Sequence, residues 1–238
     1  MRLLRGDGGL LVVGHRGAAA LAPENSLAAI EAAAAHGADI VELDVLRAAH
    51  GGCVLAHGPG VPSDAPALAD ALARAAELRL AVQLDVKEAG LEHELVAALR
   101  AAALVERSFV SSPSPDALRA LAALEPGLPR AFTYPDDRYS LSERPLVRPA
   151  IAPSLAVLRA LLPLRLPRLL AAVTARAATL HAAVVSERLV AGCHRAGIAV
   201  LAWTVNDPVL AKSLVERGVD GIITDDPRIV PSGITLRA

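Results

Sequence analysis

Short apolar runs alternate with helix-like segments along the chain, and this alternation limits the fold more than any other feature. A strand that is repeatedly followed by a helix is typical of a parallel sheet covered by helices. Because eight such units follow one another without a long linker, we predict a (β/α)8 barrel, with a doubly wound sheet as the alternative. The predicted strands span residues 11–14, 39–46, 80–86, 108–111, 130–134, 179–184, 199–205 and 221–224.

The predicted helices have recognisable start and stop signals. Either Asn25 or Ser26 can cap the first helix, and Gly37 ends it. A short extra strand over residues 53–57 is predicted to return as a hairpin after the turn at residues 50–52. Further helices are predicted over residues 65–77, 92–103, 116–124, 186–196 and 208–217.

One segment, residues 135–178, fits this repeat poorly. It opens with a polar stretch and continues with leucines, alanines and arginines around residues 155–170. Because Pro163 and Pro167 would each break a helix, we expect a loop with one or two short helices here. The segment is predicted to cover the core, with a substrate lid or a lipid-facing surface as the alternative.

The composition excludes several classes of protein. A length of 238 residues fits one large domain or two small ones, and 53% hydrophobic with 2% aromatic residues predicts a core of Ala, Leu and Val. A net charge of −1 without a basic stripe argues against a nucleic-acid partner. Cys53 and Cys193 are predicted to be buried free thiols. No charge-free stretch is long enough for a transmembrane helix and no signal peptide is recognised, so we expect a cytoplasmic protein of undetermined oligomeric state.

The densest chemical cluster lies near the start of the chain. Glu42 and Asp44 fall in one apolar strand, where side chains two positions apart point to the same face. Burying both carboxylates requires a cation, and oxygen ligands favour Mg²⁺ or Ca²⁺. His15 with Arg16, and also His57, follow neighbouring strand-like runs and can supply proton transfer and anion binding. The polar residues that fall at predicted strand ends, where barrel active sites form, are His15, Asp44, Lys87, Ser112, His181 and Asn206.

Motifs along the chain resemble those of the glycerophosphodiester phosphodiesterase family. The HRG and PENS patterns of that family match residues 15–17 and 23–26, and its GAD…ELDV pattern matches residues 37–45. Its WTVN and GVDGIITDxP patterns match residues 203–206 and 218–227. The resemblance therefore covers nearly the whole chain.

This resemblance implies a single barrel domain over residues 1–238 that hydrolyses phosphodiesters such as glycerophosphocholine to glycerol 3-phosphate and an alcohol. It implies that Glu42 and Asp44 are metal ligands and that Arg16 contacts the phosphate. His15 and His57 become the acid/base pair. The residues do not decide which histidine is the acid, or whether water or a substrate hydroxyl is the nucleophile.

Three positions depart from the family pattern. The third metal ligand of the family is usually a glutamate two positions before a lysine, and here Asp85 precedes Lys87. We expect Asp85 to bind the metal and Lys87 to contact the phosphate. Gly58 follows His57 where the family has aspartate. Only residues 58–65 stand in place of the usual insertion, which predicts a more open site.

His181 and Trp203 are further candidates for substrate binding. His181 falls near a strand end and Trp203 is the only tryptophan, but backbone bonding and core packing are structural alternatives. An ion pair with Arg16 or Lys87 is the structural alternative for the carboxylates. The functional alternatives are lysophospholipase D-type activity on lysophospholipids, a non-catalytic phosphodiester- or lipid-binding barrel, and an isomerase barrel. The isomerase would need a glycine-rich phosphate loop that is missing from the sequence after strands seven and eight.

Overall fold

The computed structural model describes residues 1–4, 9–58, 60–136 and 148–230, without the side chains of residues 148–156 and 158. Eight parallel strands close into a barrel because β1 pairs with both β2 and β9, which confirms the predicted (β/α)8 fold and excludes the doubly wound sheet. The short strand β3 pairs antiparallel with β2. The strands are β1 Leu11–Gly14, β2 Ile40–Arg47, β3 Cys53–Leu55, β4 Ala81–Val86, β5 Ser108–Ser112, β6 Arg130–Tyr134, β7 Ala177–His181, β8 Ala199–Trp203 and β9 Gly221–Thr224.

Helices connect the strands of the barrel, and the first begins at one of its two predicted capping residues. Ser26 accepts a hydrogen bond from the backbone N of Ala29 at 3.1 Å, so Ser26 rather than Asn25 caps the first helix. The helices are α1 Leu27–Ala35, α2 Leu68–Glu77, α3 Glu92–Ala101, α4 Pro115–Leu124, α5 Arg148–Ala172, α6 Glu187–Arg195 and α7 Pro208–Glu216. No helix in the described ranges is both long and apolar enough to cross a membrane.

Helix α5 contradicts our expectation of a loop with short helices. It is one helix of 25 residues that runs through Pro163 and Pro167. Its residues Leu162, Leu166 and Leu170 recur every four positions and are buried against the core. Each proline costs about 3 kcal/mol in a helix, and each buried leucine contributes about 1.5–3 kcal/mol, so tertiary packing offsets the local penalty. Residues 137–147, which include half of the predicted polar opening at residues 135–138, lie outside the described residues.

Two strands end earlier than predicted. β7 ends at His181 and β8 at Trp203, whereas the sequence patterns extended them to residues 184 and 205. The chain turns at His181 because its Nδ1 accepts a hydrogen bond from the backbone N of Ala183 at 3.2 Å, which starts a short 3-10 turn. The imidazole is thereby placed at the rim of the barrel.

The barrel interior is apolar near the start of the strands and polar near their ends. Val13, Ile40, Phe109, Ala177 and Ala199 belong to the interior cluster, and most of them are small or aliphatic as the composition predicts. Both cysteines are free thiols as predicted, but Cys53 is only partly buried whereas Cys193 is buried. The polar side chains lie beyond this apolar cluster, towards the carboxyl ends of the strands.

Candidate active site

A cavity of about 750 Å³ opens at the carboxyl ends of the barrel strands. Apart from Asp44, every predicted site residue lines this cavity, and Asp44 is bonded to two residues that do. The predicted residues on its wall are His15, Arg16, Glu42, His57, Asp85, Lys87, His181 and Trp203. The strand topology therefore brings together residues from across the chain.

Three buried carboxylates meet at the wall formed by β2 and β4. Asp44 on β2 lies beside Asp85 on β4 in the parallel register, and Glu42 lies two residues before Asp44 on the same face. Their exposed fractions are 3% for Glu42, 1% for Asp44 and 5% for Asp85. One oxygen of each carboxylate lies within 4.8 Å of the others, so this cluster could bind a metal ion.

The turn after β1 holds two of these carboxylates. Arg16 has a left-handed φ of 50°, and its backbone N donates to Glu42 Oε2 at 2.8 Å while its Nε lies 3.0 Å from Asp44 Oδ2. A Cβ at Gly17, where φ is +92°, would lie 2.4 Å from the Cβ of Ala29. The glycine of the HRG motif is therefore required for this turn to pack against α1.

Lys87 neutralises part of the cluster. Its Nζ lies 2.8 Å from Asp44 Oδ1 and also contacts Asp85 Oδ2. Burial alone would lower the pKa of Lys87, but the charges of Asp85, Asp44 and Glu42 raise it above its ordinary value. Burial and then the charge of Asp44 raise the pKa of Glu42, to about 7. Arg16 and Lys87 thus bring two positive charges to three carboxylates. The charge of a bound cation could balance the third.

His15 is oriented by a carboxylate from the last strand. Its Nδ1 lies 2.6 Å from Asp225 Oδ1. Asp225 in turn accepts a hydrogen bond from Asn206 Nδ2 and donates its backbone N–H to Asn206 Oδ1 at 2.9 Å. Burial lowers the pKa of His15, but the bond to Asp225 and the charge of Glu42 outweigh it, so this pKa lies above its ordinary value.

His57 lies in a different environment in the same cavity. The preceding residue, Ala56, donates its backbone N–H to the carbonyl of Asp44 at 3.2 Å, which brings the loop after β3 to the cluster. Burial lowers the pKa of His57, and the charge of Asp44 offsets only part of this effect. Gly58 has a φ of +82°, so the chain turns directly after His57 in a conformation that an aspartate side chain would strain.

An aromatic corner forms the opposite part of the wall. His181 and Trp203 are register partners on β7 and β8, and their rings meet edge to face with centroids 5.3 Å apart. The indole Nε1 of Trp203 is buried and has no hydrogen-bond partner among the described residues. The corner therefore offers an apolar face and one N–H donor.

Sequence reasoning missed three residues that hold the site together. The sequence analysis places Asn206 at a strand end and in the WTVN motif without a role, and Asp225 in the GVDGIITDxP motif without a role, although Asp225 also follows a strand. Asn25 was interpreted as a helix cap, but its Nδ2 donates to Asp44 Oδ2 at 3.1 Å and its Oδ1 accepts from the backbone N of Asp44 at 3.0 Å. The strand-end position could have identified Asp225, whereas no local signal marks the bond between Asn25 and Asp44.

The chain is similar to known phosphodiesterases over most of its length. The model of the glycerophosphoryl diester phosphodiesterase family matches residues 15–80 and 61–229. A glycerophosphodiester phosphodiesterase of Caldanaerobacter subterraneus subsp. tengcongensis is 29% identical over 256 residues, covering 91% of this chain and 94% of the relative.

Solved structures have the same fold. An Oleispira antarctica phosphodiesterase in complex with the product sn-glycerol-3-phosphate aligns with a TM-score of 0.70 and 23% identity, over 92% of this chain and 94% of that chain. A glycerophosphodiester phosphodiesterase from Parabacteroides distasonis aligns with a TM-score of 0.72 and 20% identity, over 92% and 93% of the two chains. Since the family model also spans the site and most of the barrel, the chain belongs to the glycerophosphoryl diester phosphodiesterase family and is a phosphodiesterase.

Proposed function

We propose that this enzyme hydrolyses small glycerophosphodiesters to glycerol 3-phosphate and an alcohol with the help of one Mg²⁺ or Ca²⁺ ion. The observation that carries the proposal is one cavity that combines three buried carboxylates with two histidines of opposite pKa shift. The named relatives favour this activity over a lysophospholipase D or a non-catalytic barrel, the two alternatives from the sequence. Membership of a phosphodiesterase family leaves the isomerase without support.

The cation would be held by Glu42, Asp44 and Asp85. Hydrogen-bond donors hold one oxygen of each carboxylate, namely Glu42 Oε2, Asp44 Oδ2 and Asp85 Oδ1. Lys87 Nζ contacts the second oxygens of Asp44 and Asp85, so a metal ion would share these two oxygens with the ammonium group. Carboxylate oxygens are the ligands that Mg²⁺ and Ca²⁺ prefer. When bound, the ion supplies positive charge for the non-bridging oxygens of the phosphodiester. Arg16 and Lys87 add their charges on the same wall of the cavity.

The two histidines are suited to opposite roles. With its pKa below the ordinary value, His57 is neutral near pH 7 and accepts the proton of the attacking hydroxyl as the general base. Since the bond to Asp225 favours the imidazolium form, His15 donates a proton to the leaving alkoxide as the general acid. A new P–O bond forms to the oxygen of the attacking hydroxyl as the P–O bond to the alcohol breaks; the base takes one proton and the acid gives one, so the alcohol leaves neutral. Attack by water gives glycerol 3-phosphate directly, whereas attack by a substrate hydroxyl gives a cyclic phosphate that water then opens to the same product.

His181 and Trp203 would bind the parts of the substrate that flank the phosphate. The edge-to-face pair places an apolar aromatic surface beside polar atoms, which suits a glycerol or a small alcohol group. The partner-free N–H of Trp203 is a donor for a hydroxyl oxygen. These two residues therefore contribute to binding of the substrate rather than to proton transfer.

The proposal is tested by measuring kcat/KM on a substrate panel with Mg²⁺ or Ca²⁺ present. We expect release of choline and glycerol 3-phosphate from glycerophosphocholine, and a lower kcat/KM for a lysophosphatidylcholine below its micelle concentration. Turnover of the lipid without turnover of the small diester would contradict the proposed substrate class. Binding of glycerophosphocholine without any turnover would instead indicate a non-catalytic barrel.

We further predict that Asp225→Asn lowers kcat about 10–100-fold, the typical effect of losing a carboxylate that orients a functional histidine. KM should change little because Asp225 acts on His15 rather than on the substrate. Without the carboxylate the pKa of His15 falls, so the loss of activity on the alkaline side should begin at a lower pH. The measurement is a pH profile of kcat/KM for both proteins.

Asp116→Asn is the control for this variant, since Asp116 pairs with Arg119 on the exposed surface of α4. It should leave kcat and the pH profile at wild-type values. An unchanged alkaline limb in Asp225→Asn would show that the carboxylate does not act through His15.

A further inference from the structure

Gln83 is a buried polar residue of the cavity that the mechanism above does not use. It lies on β4, is 2% exposed and lines the cavity. Its Oε1 has no hydrogen-bond partner among the described residues. A buried amide oxygen without a partner is costly, because its desolvation is not repaid by a hydrogen bond. A bound group that offers positive charge or a hydrogen-bond donor to this oxygen would therefore remove this cost.

The hydrogen-bond network fixes the orientation of this amide. Ser111 Oγ lies 2.5 Å from Asp85 Oδ1, and the single hydroxyl proton must point to the carboxylate, which can only accept. The amide atom of Gln83 that lies 2.9 Å from the same Oγ must therefore be a donor, the Nε2 group. The remaining amide atom is the oxygen, so the partner-free atom is an acceptor and not a misassigned N–H.

The strand register places the Gln83 side chain beside the carboxylate cluster. Gln83 is the register partner of Glu42 on the adjacent strand, and both face the barrel interior from the same layer. The two side chains have the same number of methylene groups. The amide of Gln83 bonds to Ser111, and Ser111 is the register partner of Asp85. The amide therefore lies at the level of the two aspartates along the barrel axis.

At the position of Asp85, one of the two carboxylate oxygens is already occupied by hydrogen-bond donors. Asp85 is one methylene shorter than the glutamate usual in the family, and its Oδ1 accepts from Ser111 and from Thr133 Oγ1 at 3.2 Å. The other oxygen of this residue, Oδ2, already contacts Lys87 Nζ, so Asp85 has little free acceptor capacity for a cation. Three carboxylates that each give one oxygen fill only three positions around a hard cation, which takes six or more oxygen ligands. The remaining positions need further oxygen ligands.

We propose that Gln83 Oε1 is a fourth protein ligand of the divalent cation, and this inference rests on the metal site of the proposed function. Side-chain amide oxygens are ordinary ligands of Ca²⁺. Gln83 thereby supplies the oxygen that the shorter Asp85 withdraws. The Nε2 bond to Ser111 holds the amide in the orientation that coordination requires.

The test is isothermal titration of Ca²⁺ and of Mg²⁺ into the metal-free protein, which needs no substrate. Gln83→Leu should raise the Kd of the cation at least about tenfold. Gln83→Asn, which keeps the amide but shortens it by one methylene, should also weaken binding, and it tests the proposal if Gln83→Leu fails to fold. Both variants should show a smaller rise in Tm on addition of the cation than the wild type.

Ser108→Ala is the matched control, because Ser108 Oγ is also buried without a hydrogen-bond partner among the described residues but lies at the first residue of β5, three positions before Ser111. It should bind the cation like the wild type. Wild-type affinity in both Gln83 variants would overturn the role of Gln83 and leave the metal site intact. Absence of binding by the wild-type protein would instead overturn the metal site of the proposed function.

Discussion

Removal of divalent cations with EDTA is expected to abolish turnover of glycerophosphocholine, and Mg²⁺ or Ca²⁺ in excess is expected to restore it. The reason is the charge of the site, where three buried carboxylates, Glu42, Asp44 and Asp85, lie together beside the cations Arg16 and Lys87. Without the ion, the carboxylates would repel an anionic phosphodiester. Losing one electrostatic contact to the transition state costs about 10²–10³-fold in rate, and the ion carries a larger charge than one such contact.

The substitution Glu42→Gln tests the same dependence on a cation without a chelator. It removes one ligand charge while keeping the shape of the side chain, so it should weaken binding of the cation and lower kcat by at least about 10²-fold. Glu77→Gln is the control, since Glu77 pairs with Arg74 on the exposed end of α2. The measurements are the Kd of the cation and kcat at saturating cation. Full turnover in EDTA would exclude a metal-dependent mechanism.

His15→Ala and His57→Ala are each expected to lower kcat by about 10²–10⁴-fold while the protein remains folded. His93→Ala is the control, because His93 lies on the exposed side of α3. Circular dichroism and the Tm of each variant check the fold. If His57→Ala retains the wild-type rate, His57 has a structural role, and the glycine at position 58 marks a change of mechanism.

The pH profile separates the two histidines. The base must be deprotonated, so activity should fall as the pH drops through the pKa of His57, which lies below its ordinary value of 6.5. The acid must be protonated, so activity should fall as the pH rises through the pKa of His15, which lies above 6.5. A bell-shaped profile of kcat/KM is therefore expected. His57→Ala should remove its acidic limb, and persistence of that limb would assign it to another group.

The sequence alone determined the barrel and most of the site. Strand and helix periodicities are local properties, and eight repeats of one unit leave few architectures in which each element can bury its apolar face. The candidates His15, Glu42, Asp85 and Lys87 could be named because a parallel barrel gathers strand ends at one face, wherever they lie in the chain.

Only the tertiary structure decided which partners these residues have. The bond from Asp225 to His15 spans 210 positions, and that from Asn25 to Asp44 joins a loop to a strand, so neither leaves a pattern in a local window. Helix α5 runs through Pro163 and Pro167 because its buried leucines pack on the barrel. The free energy of this packing is not part of intrinsic helix propensity, so propensity alone predicts a break. Long-range packing and hydrogen bonding depend on the closed barrel, and they therefore decide what local sequence cannot.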